Sequence, residues 1–132
     1  MKTVKLLIID DEVVVQKSCF DIFTEKKSKH GIQYDVQLVS SADEALRVIE
    51  NNRFDIVLTD LKMPGLSGIE LIPKIKANAP ETVIVVMTGF STVATAVEAM
   101  KLGATDFIPK PFTPDEIMDA IENAVVKAKG WT

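Results

Sequence analysis

Among 132 residues there is one cysteine, one histidine, one tryptophan, one tyrosine and only two arginines. Each scarcity closes off a class of function. A lone cysteine, Cys19, cannot close an internal disulfide, which fits a reducing compartment and makes the cytoplasm the expected location. With His30 alone, most histidine-based catalysis and His-cluster metal sites are excluded. Arg47 and Arg53 as the sole arginines, an isoelectric point near 5.0 and a formal net charge of −4 argue against direct nucleic-acid binding by this domain. The longest unbroken apolar run spans only 83–87, far short of the ~18 residues a membrane helix needs. The first residues run straight into Asp10-Asp11 with no small-residue cleavage site, so export is not expected. There is no internal repeat, no low-complexity run and no Gly/Ser linker. What is present in quantity is apolar side chains, at 47%, and acidic ones, 19 in all. Carboxylate chemistry is what such a chain has to work with.

Apolar runs alternate with helical patterns along the whole length. The run 6–9 reads as a buried strand, and 13–29 as a helix with Val15, Cys19, Ile22 and Phe23 on one face. Residues 34–39 alternate as a second strand. Ser41 then caps a helix, with Glu44 three residues on completing a capping box. Strands at 55–59, 83–87 and 105–108 alternate with helices at 67–77 and 91–102, the latter closed by Gly103. Pro73 falls inside the third helix, where it costs up to ~3 kcal/mol. Thr113, Pro114 and Glu116 open the last helix with a cap, a proline at N1 and a glutamate at N3. Its core face is Ile117, Ile121 and Val125. Five strand–helix units predict an α/β fold, a parallel sheet with helices on both faces. The domain is expected over 1–127, with 128–132 as a tail or the start of a linker; Trp131 lies beyond the last helix.

Ligands of an open α/β sheet bind beyond the carboxyl ends of the strands. Asp10, Asp11 and Glu12 follow the first apolar run, Asp60 the third, Thr88 the fourth and Lys110 the fifth. The serines after the second read as capping residues only. Carboxylates crowded together repel, so either one stays protonated or a cation joins them. Oxygen ligands on loops suit a hard divalent ion such as Mg²⁺. A carboxylate, a lysine, a hydroxyl and Mg²⁺ are the parts needed to accept a phosphoryl group as an aspartyl phosphate.

Asp10-Asp11, the run Asp60-Leu-Lys-Met-Pro64-Gly-Leu-Ser-Gly68, Thr88-Gly89 and Phe107-Ile-Pro-Lys110-Pro111-Phe112 together resemble a response-regulator receiver domain of two-component signalling. The likeness covers roughly residues 4–127, and 87–112 is also similar to receivers of the NtrC-like subfamily. The resemblance implies a flavodoxin-like, doubly wound sheet of strand order 2-1-3-4-5 with five helices on two faces. It implies that Asp60 is the phosphoacceptor and that Asp11, Asp60 and the backbone carbonyl of Lys62 hold Mg²⁺, with Asp10 acting through water. Thr88 and Lys110 would bind phosphoryl oxygens, Lys110-Pro111 would be a cis peptide, and Phe107 stands at an aromatic switch position. The phosphate donor would be a histidine kinase or phosphotransfer protein. The output would be a changed surface of the fourth helix, fifth strand and fifth helix, a surface that also suits a homodimer. An NtrC-like relationship would place that output at transcription. Lys62 and Phe90 would flank the path of hydrolytic water, and the bulk of Phe90 predicts slow self-dephosphorylation.

Blander readings compete. Asp10, Asp11 and Glu12 are each acceptable as dipole-favoured helix-start residues, and Asp60 as a turn residue before Pro64-Gly65. Cys19 reads as a small buried hydrophobe, Phe107 as core, and the Lys26, Lys27, Lys29 and His30 cluster as a solvated helix end. Two other functions are compatible with the motifs. One is a metal-dependent phosphohydrolase working through an aspartyl phosphate, which usually carries an acid where this chain has Lys62. The other is a phosphate-independent interaction module.

Overall fold

The computed structural model describes residues 2–61, 68–89 and 93–131. Five strands form one parallel sheet in the order β2-β1-β3-β4-β5. In chain order the elements are β1 (Lys2–Ile9), α1 (Val13–Glu25), β2 (Ile32–Val39), α2 (Ala42–Asn51), β3 (Ile56–Asp60), α3 (Gly68–Asn78), β4 (Val83–Thr88), α4 (Val93–Leu102), β5 (Asp106–Pro109) and α5 (Pro114–Lys129). The expected doubly wound α/β architecture is therefore the one observed.

Every residue of β3 and β4 is buried, as central strands covered on both faces require. Alternate side chains of the sheet feed two cores. Leu6, Ile8, Leu58, Val85 and Met87 pack with Cys19 and Phe23 of α1 and Ile117 and Ile121 of α5. Leu7, Ile9, Val57, Ile84 and Val86 pack on the other side with Ala45 and Ile49 of α2, Leu71 and Ile75 of α3 and Ala99 of α4. Edge strand β2 instead alternates, with Gln33, Asp35 and Gln37 exposed. β1 starts earlier than its apolar run suggested because Lys2 to Lys5 pair with β2 from Lys2↔Ile32, whereas β3 joins only at Leu6↔Ile56.

The first helix ends at Glu25, four residues before its expected limit at 29. After Phe23 the chain offers no apolar side chain for another turn, so packing cannot support one. Ser28 also draws the chain into a turn, its Oγ accepting from the amides of His30 and Ile32 at 3.1 and 3.0 Å. Two lysines beyond this end reach α5, Lys26 to Asp115 at 2.5 Å and Lys29 to Asp119 at 3.5 Å. The buried stripe of α1 is Gln16, Cys19 and Phe23, with Val15 and Ile22 only partly covered.

Helix caps follow the sequence closely. Ser41 Oγ accepts from Glu44 N at 3.1 Å, but Glu44 reaches back to the amide of Ser40 rather than that of Ser41. The box at Thr113 and Glu116 is reciprocal, with Pro114 at the start of the helix. Gly103 ends α4 at φ 121°, a conformation that a side chain would strain. Pro73 lies inside α3 on its exposed face; nothing in the structure explains it. Past Gly130, Trp131 packs against the α1/α5 core with Lys2 Nζ 5.1 Å from its ring centroid. No helix among the described residues is long and apolar enough to cross a membrane.

Candidate functional site

Parallel strands deliver their last residues to one edge. Asp10 directly follows β1, Asp60 and Thr88 are the final residues of β3 and β4, and Lys110 follows β5. Because β1, β3, β4 and β5 are consecutive neighbours, these four residues lie along one edge of the sheet. Lys110 Nζ donates to Asp60 Oδ2 at 2.9 Å and to Asp10 Oδ2 at 3.2 Å. Asp10 is fully buried, Asp60 is 5% exposed and Thr88 2%. Asp11 and Glu12 are exposed at the rim.

The two buried carboxylates are secured differently. Asp10 Oδ1 accepts the amide of Glu12 at 2.8 Å while Oδ2 faces Lys110. Burial pushes its carboxyl above the usual aspartate range, against the lowering pull of the Glu12 amide and of Lys110. For Lys110, burial acts to discharge the amine, but the hydrogen bond to Asp60 and the charges of Asp10 and Asp60 outweigh it and hold the ammonium. Its backbone is fixed too, the amide donating to Thr88 O at 2.8 Å. The Lys110-Pro111 bond is cis.

Ligand oxygens of Asp10, Asp11, Glu12 and Asp60 lie within 4.8 Å of one another. Four neighbouring carboxylates, two of them paired with the Lys110 ammonium, make an anionic cluster of oxygen ligands, a donor set that fits a hard divalent cation. Glu12 belongs to this cluster although the sequence pointed only to Asp10, Asp11 and Asp60 as side-chain ligands. Lys62, whose carbonyl was expected to complete the set, and Phe90 lie outside the described residues. Phe107 pairs with Val86 in the β4–β5 ladder and is half-buried against the α2/α3/α4 core. By strand alternation it shares that face of the sheet with Thr88. The sequence reading missed Gln16 and took Ser40 for a cap; Gln16 Nε2 donates to Asp10 O, Val39 O and Ser40 Oγ. The available signal was a polar residue in register with the buried stripe of α1.

The model of the response regulator receiver domain family matches residues 6–122. The chain belongs to that family. Receiver domains are phosphorylated by histidine kinases and generally use Mg²⁺ in doing so, which is the chemistry this cluster suits. Among curated relatives, the transcriptional regulatory protein FixJ of Bradyrhizobium diazoefficiens is 36% identical over 94% of this chain and 58% of its own length. FixJ of Rhizobium meliloti is 42% identical over 89% of this chain and 54% of its own. The DNA-binding transcriptional regulator NtrC of Azospirillum brasilense is 30% identical over 95% and 25%. The receiver thus spans about half the length of its FixJ relatives and a quarter of NtrC. Among solved structures, a CheY-like receiver domain protein from Methanospirillum hungatei superposes with TM-score 0.88 at 26% identity, covering 99% of this chain and all of that one. NtrX from Brucella abortus gives 0.86 at 30% identity, over 98% of this receiver and 28% of that chain.

Proposed function

We propose that this receiver accepts a phosphoryl group on Asp60 from a histidine kinase or phosphotransfer protein and that the aspartyl phosphate switches an output surface. The observation that carries this is the pairing of a nearly buried Asp60 with Lys110 Nζ at 2.9 Å inside an acidic cluster. A carboxylate held at the open end of the sheet by the Lys110 ammonium is a nucleophile whose charge partner is already in place. An Asp60 oxygen attacks phosphorus in line with the P–N bond of the donor phosphohistidine. That bond breaks, its electrons return to the imidazole, which takes up a proton, and the phosphoryl group leaves on Asp60. Lys110 then has a phosphoryl oxygen to bind in place of the carboxylate, and the Thr88 hydroxyl donates to a second. Asp11, Asp60 and the Lys62 carbonyl would hold Mg²⁺, with Asp10 acting through water; bound there, the ion supplies neutralisation of the phosphoryl oxygens and of the crowded carboxylates.

Val13 and Val14, 71% and 77% exposed beside the acidic loop, offer the donor protein an apolar contact. Val97 and Met100 on α4, 44% and 43% exposed, lie on the proposed output and dimer face with β5 and α5. The FixJ and NtrC names support an output at transcription, and the cytoplasm is the proposed location. The phosphohydrolase and the phosphate-independent module are not favoured. The test is labelling with a small phosphodonor and Mg²⁺. The wild-type chain should carry about one acid-labile phosphate and Asp60→Asn none; stoichiometric labelling of Asp60→Asn would move the acceptor elsewhere.

A further inference from the structure

Asp10 is fixed through its backbone as firmly as through its carboxylate. Its amide donates to Val39 O across the β1–β2 ladder at 3.2 Å. Its carbonyl accepts from a side chain outside the acidic cluster, Gln16 Nε2 at 2.5 Å. That nitrogen also lies 3.0 Å from Val39 O and 3.1 Å from Ser40 Oγ. Two of the three acceptors are carbonyls, which accept only, so it is the amide NH₂ that faces them. Gln16 is 9% exposed and occupies the core stripe of α1, where an apolar side chain would satisfy packing alone. A buried amide kept on such a stripe has its reason in the groups it bonds.

The bond to Asp10 O has a geometric consequence. A peptide unit is planar from one Cα to the next, so holding the Asp10 carbonyl also holds the nitrogen and Cα of Asp11. Asp11 is exposed, and its carboxylate is aimed by that backbone. The same α1 turn fixes Glu12, whose carbonyl accepts the Gln16 amide N–H at 3.1 Å and whose own amide caps Asp10 Oδ1. We infer that Gln16 is the positioning residue of the acidic loop: it clamps the Asp10–Asp11 peptide plane to the end of β2 and thereby pre-sets the oxygens that receive the divalent cation. This rests on the reading of Asp10, Asp11 and Asp60 as the cation site. Gln16 touches neither the cation nor the phosphoryl group and acts through the peptide it holds.

Gln16→Met keeps the length and bulk of the side chain and removes the donor. In the metal-free protein, amide hydrogen exchange at Glu12, whose N–H is held by Asp10 Oδ1 within the clamped loop, should quicken about tenfold. Calorimetric titration with Mg²⁺ alone should show affinity about tenfold weaker, the ions arriving at a loop no longer pre-set. Val15→Ala, a packing loss on the neighbouring position, should lower the melting temperature while leaving both readouts within twofold of wild type. Gln16→Asn, which withdraws the amide by one methylene, takes the place of Gln16→Met if that variant does not fold. Wild-type Mg²⁺ affinity in folded Gln16→Met, or in Gln16→Asn where that takes its place, overturns the inference, as does equal weakening in Val15→Ala. A wild-type protein that binds no Mg²⁺ would instead sink the cation-site reading, and the exchange rate would still decide whether Gln16 clamps the loop.

Discussion

The backbone amide of Lys110 donates to the carbonyl of Thr88 at 2.8 Å, so the two groups that would bind a phosphoryl group share one hydrogen bond of the β4–β5 edge. A shift of either is felt by the other through main chain rather than through flexible side chains. Phe107 stands three residues before Lys110 and on the same sheet face as Thr88.

Lys110→Ala separates neutralisation from metal binding. In the phosphate-free protein it leaves the Asp10 and Asp60 carboxylates without their ammonium, at a loss of about 1–3 kcal/mol, less than for a wholly buried pair because Lys110 is partly solvated. The sign with pH follows from Asp10, whose carboxyl already sits above its ordinary value. Protonation relieves the strain, so the deficit should be large at pH 7 and shrink as pH falls through the acid range. Denaturant titrations at several pH values measure this. Mg²⁺ binding should survive, while the phosphate mimic no longer changes the output face.

Mg²⁺ should stabilise the folded chain by mass action. At about a hundred times its dissociation constant the gain is ~2.7 kcal/mol, or on the order of 10 °C in melting temperature for a domain of this size. Asp11→Ala, at an exposed position where folding is not threatened, should abolish most of the shift in a thermal melt. An unchanged shift would remove Asp11 from the ligand set.

Beryllofluoride with Mg²⁺ should alter the environment of Phe107, read by fluorine NMR on fluorophenylalanine. The resonance should move in wild type and stay in place in Thr88→Ala. Sedimentation of the same samples shows whether the α4–β5–α5 face then pairs with a second copy.

Cys19 should be inert towards thiol reagents at pH 8. Its thiol is fully buried, and burial pushes it up to about 11, so little thiolate forms and the reagent has no access. Labelling should proceed at the rate of unfolding and accelerate with denaturant. Fast labelling of the native protein would contradict its place in the α1/α5 core.

How much of this was legible in the sequence depends on the range of the interaction. Apolar runs that satisfy their own burial, such as Val83 to Met87, and caps made within three residues, as at Thr113 and Glu116, are local, and they announced the strand–helix alternation and the start of α5. Because a βα unit always leaves the strand's carboxyl end at the same edge, that alternation also placed Asp10, Asp60, Thr88 and Lys110 on one side. Tertiary structure alone decided which of them touch. Lys110 meets Asp60 and Asp10 across 50 and 100 residues, and Gln16 meets Val39 and Ser40 across 23 and 24. Such bonds depend on which strands are neighbours. The last turn expected of α1 was lost for the same reason: helix length is settled by what there is to pack against, and beyond Phe23 there was nothing.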